Sequence, residues 1–388
     1  MMNNPQTIRY LNEIDALNAL FRKGGMSRAE LARVLGLNRS STGNIVASLM
    51  SSGLVIEAPD TPRPGEEKRT GRPGIEIRLS PDGGYFTGVE IGVDRLSAVV
   101  IDLSASTVQQ KSVAFDSPSF PPEAVIAKAA ALAASVLPTV EESRLKGICV
   151  TLPALLDHAG NARNAHMLGW RDTPVTDMLR EFLPFPIDVT AENDANAFAI
   201  GEIYSGDLDW SNTSIFLHIE NGVGGAITAG GRLFRGAFGF AGEFGHLTIE
   251  RNGRPARRGT AGELETLIGK DMVLGTYEEQ GGQPDLDRFL AALARGDEMA
   301  RRIADAWADD LSHGLAQLVK VLDPDLVVLG GSVAPIYPFV EKRVRENLDS
   351  MLIVGLPRPK IELSTLGPSG AAFGAACMVH QRFFSAGS

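Results

Sequence analysis

The chain has 388 residues and a mass of 41.4 kDa, more than one hydrophobic core usually serves, so we expect two or three domains. Its 44% hydrophobic and 22% charged residues argue against a mainly disordered, collagenous or coiled-coil chain. The chain has only two cysteines, which argues against a disulfide framework and a Cys-rich metal site. No apolar run approaches the ~20 residues that a membrane helix needs, which argues against membrane insertion. We expect a cytoplasmic protein.

The net charge of −10 is unevenly distributed along the chain. Residues 1–80 carry 11 basic and 8 acidic side chains, whereas the remainder carries 26 basic and 39 acidic ones. The acidity that would repel nucleic acid therefore belongs to the larger, later part.

Three helices are predicted at the N-terminus. The first covers residues 7–23, and the second begins at Ser27, where Glu30 completes a capping box, and runs to Gly36. Asn38 can cap the third helix. Two short helices joined by a tight turn predict a helix-turn-helix whose second helix enters the major groove of DNA. The candidate DNA contacts on that helix are Arg39, Ser40, Ser41, Thr42 and Asn44.

Two strand-like segments, 53–57 and 74–79, flank a stretch rich in proline, glycine and charge, which is typical of a β-wing. Basic residues at its tip, Arg69 and Arg72 among them, could contact phosphates or enter a minor groove. The alternative is a solvated, flexible linker. With the helix-turn-helix beside it, the wing interpretation is favoured, and residues 1–80 are predicted to form a winged helix-turn-helix DNA-binding domain.

The larger part is predicted to be an α/β region of two lobes. Residues 85–103 form two strands around a turn, and residues 213–229 repeat that pattern, which indicates an internal duplication. An apolar strand at 147–151 and helices at 122–137 and 175–182 lie between the two hairpins.

Four motifs in this order resemble those of the ROK family of repressors, open reading frames and kinases. They are the segments 192–196 (Glu-Asn-Asp-Ala-Asn), 222–226 (Gly-Val-Gly-Gly-Ala), 242–246 (Gly-Glu-Phe-Gly-His) and 326–332 (Leu-Val-Val-Leu-Gly-Gly-Ser). The resemblance implies an actin-like, ribonuclease H-like fold. We therefore expect a winged helix-turn-helix followed by lobe 1 at 81–192, completed by a C-terminal helix at 370–388, and lobe 2 at 193–369.

The resemblance also allows a test for kinase chemistry. Asp194 matches the position of the catalytic aspartate of the family's kinases, which deprotonates the attacking sugar hydroxyl. The phosphate motif of those kinases, Asp-x-Gly-Gly-Thr, is altered here, because Glu90, Val93 and Asp94 add bulk and negative charge. Glu220 begins an altered second phosphate loop. The resemblance thus implies a protein that is not an enzyme.

The positions that match the family's sugar contacts carry hydrogen-bonding side chains suited to hydroxyl groups. Asp194 could alternatively cap the helix that follows it. Met167 stands where many of the kinases have asparagine. The candidate sugar-binding residues are Asn193, Asp194, Glu243, His246 and Glu265.

Many ROK proteins hold a structural zinc through one histidine and three cysteines. Here Ala256, Arg258 and Glu263 stand at the three cysteine positions after His246, so we expect no metal and no cofactor. Arg258 and Glu263 could form an ion pair in its place.

The sequence therefore predicts a sugar-responsive transcriptional regulator, a repressor of carbohydrate metabolism genes. Its predicted partners are a double-stranded DNA operator, a monosaccharide or sugar derivative as effector, and further copies of itself in a homodimer or homotetramer, without a membrane. Two alternatives stay open: a ROK-type sugar kinase that phosphorylates hexoses with ATP, and a regulator that responds to a protein partner.

Overall fold

In the computed structural model, the described residues of the N-terminal domain form three helices and a two-stranded wing. The structure describes residues 5–59, 75–206, 212–251, 253 and 260–385. Helices α1 (Pro5–Lys23), α2 (Arg28–Leu35) and α3 (Arg39–Ser51) precede the antiparallel strands β1 (Val55–Pro59) and β2 (Ile75–Leu79). The predicted wing tip, including Arg69 and Arg72, lies outside the described residues.

The helix boundaries follow from local capping. Ser27 and Glu30 form the predicted capping box at the start of α2, and Gly36 ends that helix in the left-handed region at φ +65°. The Asn38 side chain accepts a 2.8 Å hydrogen bond from the Ser41 backbone N–H, which caps α3. Both sequence predictions are confirmed.

Lobe 1 is built on a five-stranded sheet with the order β10-β6-β3-β4-β5. Its strands are β3 (Tyr85–Ile91), β4 (Arg95–Asp102), β5 (Thr107–Ala114), β6 (Leu145–Leu152) and β10 (Val189–Asn193). A small sheet of β7 (Leu155–Leu156), β8 (Ala162–Ala165) and β9 (Trp170–Thr173) extends from it, and α4 (Pro122–Val136) and α5 (Val175–Phe182) accompany these strands.

Lobe 2 has a second five-stranded sheet with the order β13-β12-β11-β14-β15. The strands are β11 (Thr213–Ile219), β12 (Val223–Ala229), β13 (Arg232–Leu233), β14 (Leu326–Gly330) and β15 (Lys360–Leu363). Its helices are α7 (Leu264–Ile268), α8 (Lys270–Glu279), α9 (Leu286–Ala294), α10 (Glu298–Leu322) and α11 (Tyr337–Met351).

The two sheets repeat one topology, as the duplicated hairpins predicted. In each, three antiparallel strands (β3-β4-β5 and β11-β12-β13) are followed by a strand that pairs in parallel with the first one, β6 with β3 and β14 with β11. A last strand then pairs in parallel with that one, β10 with β6 and β15 with β14. Parallel strands place their carboxyl ends at one sheet edge, and loops at such edges form ligand sites in open α/β sheets.

Two helices pack against each other between the sheets: α6 (Asp194–Ser205) and α12 (Gly370–Phe383). Helix α12 covers β3, β4 and β6, while α6 covers β11 and β12. Small residues permit the close approach, since a Cβ added to Gly374 would lie 1.7 Å from the Ala197 carbonyl oxygen. Among the described residues, no helix combines the length and the apolar character needed to cross a bilayer.

The N-terminal domain shares one hydrophobic core with lobe 1. Leu17, Leu20 and Val46 of the helical part belong to the same buried cluster as Ile101 of β4 and Ala376 of α12. The Asn18 amide also donates to the Phe384 carbonyl oxygen over 2.8 Å. This continuous packing joins the N-terminal domain to the rest of the molecule.

Candidate functional site

A cleft of about 310 Å³ lies between the lobes, at the carboxyl ends of β10 and β11. Lobe 1 contributes the β3-β4 turn and the loop after β6, and lobe 2 contributes the β11-β12 turn and the segment before α7. The cleft brings together all five predicted sugar-binding residues: Asn193, Asp194, Glu243, His246 and Glu265.

Asn193 and Asp194 reach the cleft because β10 passes directly into α6. Asn193 is the N-cap: its amide oxygen accepts from the backbone N–H groups of Ala195 (2.9 Å) and Asn196 (3.2 Å). Asp194, considered above as a possible cap, is instead the first helical residue, where its charge favours the positive end of the helix dipole. A Cβ on Gly224 would lie 2.8 Å from the Ala195 side chain, so glycine there allows β12 to approach this end.

Histidines and carboxylates alternate on the opposite wall of the cleft. Nδ1 of His246 lies 2.9 Å from Oε2 of Glu263, and its Nε2 lies 3.9 Å from Oε2 of Glu243. His166, in the loop between β8 and β9, lies 3.2 Å from Oε1 of Glu265 through its Nε2. Such a set of donors and acceptors suits the hydroxyl groups of a sugar.

The histidines and carboxylates on this wall shift one another's pKa values. Burial lowers the pKa of His246, but the hydrogen bond to Glu263 and the charges of nearby carboxylates outweigh it and raise that pKa above its ordinary value. Burial raises the pKa of Glu243. The pKa of Glu265 is lowered, because the hydrogen bond and charge of His166 outweigh the effect of burial. The wall therefore combines histidines and carboxylates whose pKa values are shifted by one another and by burial.

His218 is a cleft residue that the sequence predictions missed. It is the penultimate residue of β11, its side chain is only 6% exposed, and its ring stacks on Phe198 at a centroid distance of 5.1 Å. Nδ1 lies 3.8 Å from Asp194 and Nε2 lies 3.9 Å from Glu220. Burial lowers the pKa of His218, but Asp194 and the other carboxylates outweigh it and raise that pKa. A polar residue within an apolar strand was the available signal.

Ion pairs join the lobes at the β3-β4 turn, the position that matches the phosphate motif of the kinases that the sequence resembles. Arg95 Nη2 of lobe 1 lies 3.5 Å from Glu90 Oε1 and 3.3 Å from Glu220 Oε1 of lobe 2. Glu220 also accepts a 2.9 Å hydrogen bond from the Ser332 backbone N–H. Lys270 of α8 forms a second ion pair across the cleft, with Asp94.

The carboxylate of Glu90 is the most deeply buried charge in this network. Burial raises its pKa to about 7, against the opposing effect of the Arg95 charge. Within the described part of the chain, Glu90 Oε2 and Arg95 Nε are buried without a hydrogen-bond partner. The turn therefore offers buried carboxylates to any ligand that approaches it, a poor environment for an anionic phosphate.

The family's zinc ligands do not fit this chain. Alanine has no donor atom and arginine is a cation, and these residues, Ala256 and Arg258, lie outside the described residues. The third position, Glu263, accepts hydrogen bonds from His246 and from the Thr260 backbone N–H. The predicted Arg258 to Glu263 ion pair stays a prediction. Donor atoms of His166, His246 and Glu265 lie within 4.8 Å of one another and could hold a divalent metal.

The candidate DNA-binding surface is the front of α3. Arg39, Ser40 and Asn44 are exposed there and Ser41 is partly exposed. Thr42 is fully buried and its hydroxyl donates to the Asn38 carbonyl oxygen over 3.0 Å, so its prediction as a DNA contact was wrong. On a helix, Thr42 shares the inward face with Ile45, Val46 and Leu49.

Comparison with known proteins agrees with these observations. A winged helix-turn-helix DNA-binding domain is matched at residues 11–56, and the ROK family is matched at residues 86–382. The chain is 25% identical to the xylose repressor of Bacillus spizizenii over 381 residues, which is 97% of this chain and 96% of the repressor. It is 30% identical to the glucokinase of Halalkalibacterium halodurans over 262 residues, 62% of this chain and 78% of the glucokinase.

A solved structure supports the fold over nearly the whole length. A ROK family transcriptional regulator, described as a homolog of the E. coli MLC protein, superimposes with a TM-score of 0.73 at 20% identity, covering 97% of both chains. The predicted fold class, a winged helix-turn-helix followed by a two-lobed domain, is confirmed. Because the family match covers far more than half of the sequence, the chain belongs to the ROK family.

Proposed function

We propose that the protein is a sugar-responsive DNA-binding repressor of carbohydrate metabolism genes. The observation that carries this proposal is the combination, in one packed molecule, of an exposed recognition helix and a cleft lined with hydroxyl-binding side chains. Similarity to a xylose repressor over nearly the full length supports it. Sugar in the cleft favours one arrangement of the lobes, and DNA affinity changes because the DNA-binding domain shares a core with lobe 1.

The proposed partners follow from this function. Exposed Arg39, Ser40 and Asn44 suit the phosphates and base edges of a double-stranded operator. A homodimer or homotetramer would present two recognition helices to the half-sites of a palindrome. We propose Asn193, Asp194, Glu243, His246 and Glu265 as the contacts for a sugar or sugar derivative.

Sugar kinase activity is the second candidate, since Asp194 lies in the cleft and a glucokinase is among the relatives. The ion pairs of Glu90, Arg95 and Glu220 argue against it, because they place buried negative charge where nucleotide phosphates would bind. The proposal is that the protein is not an enzyme. ATP consumption that depends on a hexose and disappears in Asp194→Ala would instead establish a kinase.

We also propose that the protein functions without the family's structural zinc, because residues at the cysteine positions cannot supply thiolates. Elemental analysis of the purified, undialysed protein tests this proposal. Less than one zinc per ten chains is the expected result. One zinc per chain that a His166→Gln variant retains would overturn it, since His166 belongs to the other candidate ligand set and not to the family's zinc positions.

Binding of the purified protein to fragments of its own genome tests the main proposal. The assay is run with and without a panel of monosaccharides and their phosphates. We expect selective capture of a few fragments and its loss with one sugar. Fragment capture that no sugar changes would exclude a sugar sensor, and no specific capture under any condition would exclude a DNA-binding regulator.

A further inference from the structure

A second cavity adjoins the sugar cleft. Its volume is about 240 Å³, compared with about 310 Å³ for the cleft. The two share Ala154, Asn193 and Glu243, so two proposed sugar contacts form the boundary between them. Small-molecule sites usually measure ~300–1,000 Å³, so the cleft alone is near the lower limit and the second cavity nearly doubles the space.

The wall of the second cavity carries aromatic rings at an unusual level of exposure. Phe238 is 77% exposed and Phe240 is 39% exposed, and both line this cavity. Leaving a phenylalanine side chain in water forgoes roughly 1.5–3 kcal/mol of burial free energy. Exposed aromatic groups beside a polar cavity therefore indicate a ligand surface. The C–H face of a sugar ring packs well on the electron-rich face of an aromatic ring.

The loop that carries these rings is fixed by its own contacts. Arg235 forms a 2.6 Å ion pair with Glu192 at the end of β10. The Ala241 backbone N–H donates to the Arg235 carbonyl oxygen over 3.1 Å, which closes the loop. Gly239, beside Phe238, adopts φ +90°, a conformation that favours glycine. The backbone that carries Phe238 is thus anchored beside the cleft.

Polar groups of this cavity can bind further hydroxyls. Arg235 has five N–H donors and, in the part of the chain that the structure describes, gives one nitrogen to Glu192. His158 is exposed and lines the same cavity. Glu243 has 41% of its side chain exposed, so its carboxylate can accept hydroxyls from either compartment. A mixture of aromatic rings with a few polar groups is typical of a ligand site.

Resting on the proposed sugar response, we propose that the effector is a disaccharide or a comparable glycoside, with one ring in the cleft and the second unit against Phe238 and Phe240. Glu243 and Asn193 then contact the ligand near the bond between the two units. Because only the disaccharide has a second unit to fill this cavity, the protein should bind it more tightly than the free monosaccharide.

Calorimetric titration of the full chain with matched pairs, xylose and xylobiose, glucose and maltose, glucose and cellobiose, tests the proposal. We expect one disaccharide to bind at least tenfold more tightly than its monosaccharide. Phe238→Ala should weaken the disaccharide about tenfold and change monosaccharide binding less than twofold. Phe234→Ala is the matched control, because Phe234 is 54% exposed in the same loop but does not line the cavity.

Four results would overturn the inference. If the monosaccharide binds as tightly as the disaccharide, or Phe238→Ala leaves the difference unchanged, the second subsite fails while the sugar response stands. If Phe238→Ala instead changes the sedimentation mass of the protein, the aromatic patch is a subunit contact. If no saccharide of either length binds wild-type protein, the sugar response and the subsite both fail.

Discussion

At the scale of single residues, Arg95 has an unusual position, because one guanidinium lies between two carboxylates from different lobes. Its side chain is 17% exposed and its partners Glu90 and Glu220 are 3% and 17% exposed. Removing one member of a buried ion pair leaves the other charge without compensation. Removing Arg95 alone should therefore destabilise the protein more than removing all three charged side chains together.

Arg95→Met should lower the free energy of unfolding by ~3–5 kcal/mol, since Glu90 and Glu220 then lose the cation that they share in a buried position. Adding Glu90→Gln to Arg95→Met should recover a large part of this loss. Urea denaturation measures both effects. If Arg95→Met lowers the free energy of unfolding by less than about 1 kcal/mol, water screens these charges as it screens a surface ion pair.

Asp194 has a role in both functional interpretations, as a sugar contact in a sensor and as the catalytic base in a kinase. Asp194→Asn keeps the shape of the side chain but removes the charge beside His218, and we expect sugar affinity to fall at least tenfold. DNA affinity without sugar should change less than twofold, because α3 lies in a different domain. Calorimetry and a gel-shift assay measure the two affinities, with the exposed Asp287→Asn as a control. Equal losses in both assays would indicate misfolding.

At the scale of elements, the sequence predicted helix ends and hairpins better than it predicted which side chains face outward. The Ser27 to Glu30 capping box and the Asn38 cap depend on neighbours within three residues, so local chemistry determines them. Thr42 was misplaced because its polarity suggested the surface, although its position on the helix turns it inward. Polarity alone does not identify a helix face.

Helix α3 yields a direct test of DNA binding. Arg39→Ala should weaken operator binding and reduce the slope of log affinity against log salt by ~1, because one phosphate contact releases about one counterion. Sugar affinity should not change. Fluorescence anisotropy at several salt concentrations measures the slope, and Arg301→Ala on α10 serves as the control. An unchanged slope would remove Arg39 from the DNA interface.

The junction of α1, α6 and α12 is centred on His380, which is fully buried. Nε2 lies 3.0 Å from the Leu103 carbonyl oxygen and Nδ1 lies 3.2 Å from the Tyr204 hydroxyl, which suits a neutral ring that donates to Leu103 and accepts from Tyr204. Burial lowers the pKa of His380 to about 4, although the Leu103 carbonyl and Asp102 oppose this effect.

Acid should therefore destabilise the wild type through His380. The unfolded chain takes up a proton on His380 near the ordinary pKa of 6.5, whereas the folded chain does so only near 4. Protonation therefore stabilises the unfolded state relative to the folded state as the pH falls from 6.5 to 4. The difference amounts to about 3 kcal/mol at pH 4. Urea denaturation of His380→Gln should show a shallower loss of stability than wild type between pH 6.5 and 4.5. If His380→Gln and wild type lose stability equally with falling pH, the His380 ring is in contact with water. As a control, His158→Gln at an exposed position should match wild type.

At the scale of the whole molecule, the contacts between distant segments were the part that the sequence could not predict. The duplicated hairpins indicated two lobes, and the matched motifs placed five residues in one cleft. The pairing of Arg95 with Glu220, 125 residues away, depends on how the lobes approach each other. The same is true of His218, since its relation to Asp194 arises only after β10 and β11 come together.

Helix α6 connects the two functional regions. Its first residue, Asp194, lies in the cleft between the lobes, and Tyr204 near its last turn contacts the DNA-binding domain. The Phe21 ring of α1 lies 5.6 Å from Tyr204, 4.8 Å from His380 and 5.5 Å from Phe384 between ring centroids. A shift of α6 on sugar binding would thus reach α1 through packed aromatic rings.

Phe21→Ala should therefore reduce the coupling between sugar and DNA more than either binding alone. Without sugar, operator affinity should stay within about threefold of wild type, and sugar affinity without DNA should be unchanged. The ratio of operator affinities with and without sugar should fall by at least fivefold, and by linkage the operator's effect on sugar affinity must fall by the same factor. Operator affinity with and without sugar, and sugar affinity with and without operator, are both measured to test α6 as the connection. If the ratio of operator affinities does not change in Phe21→Ala, the coupling must follow a route that avoids Phe21.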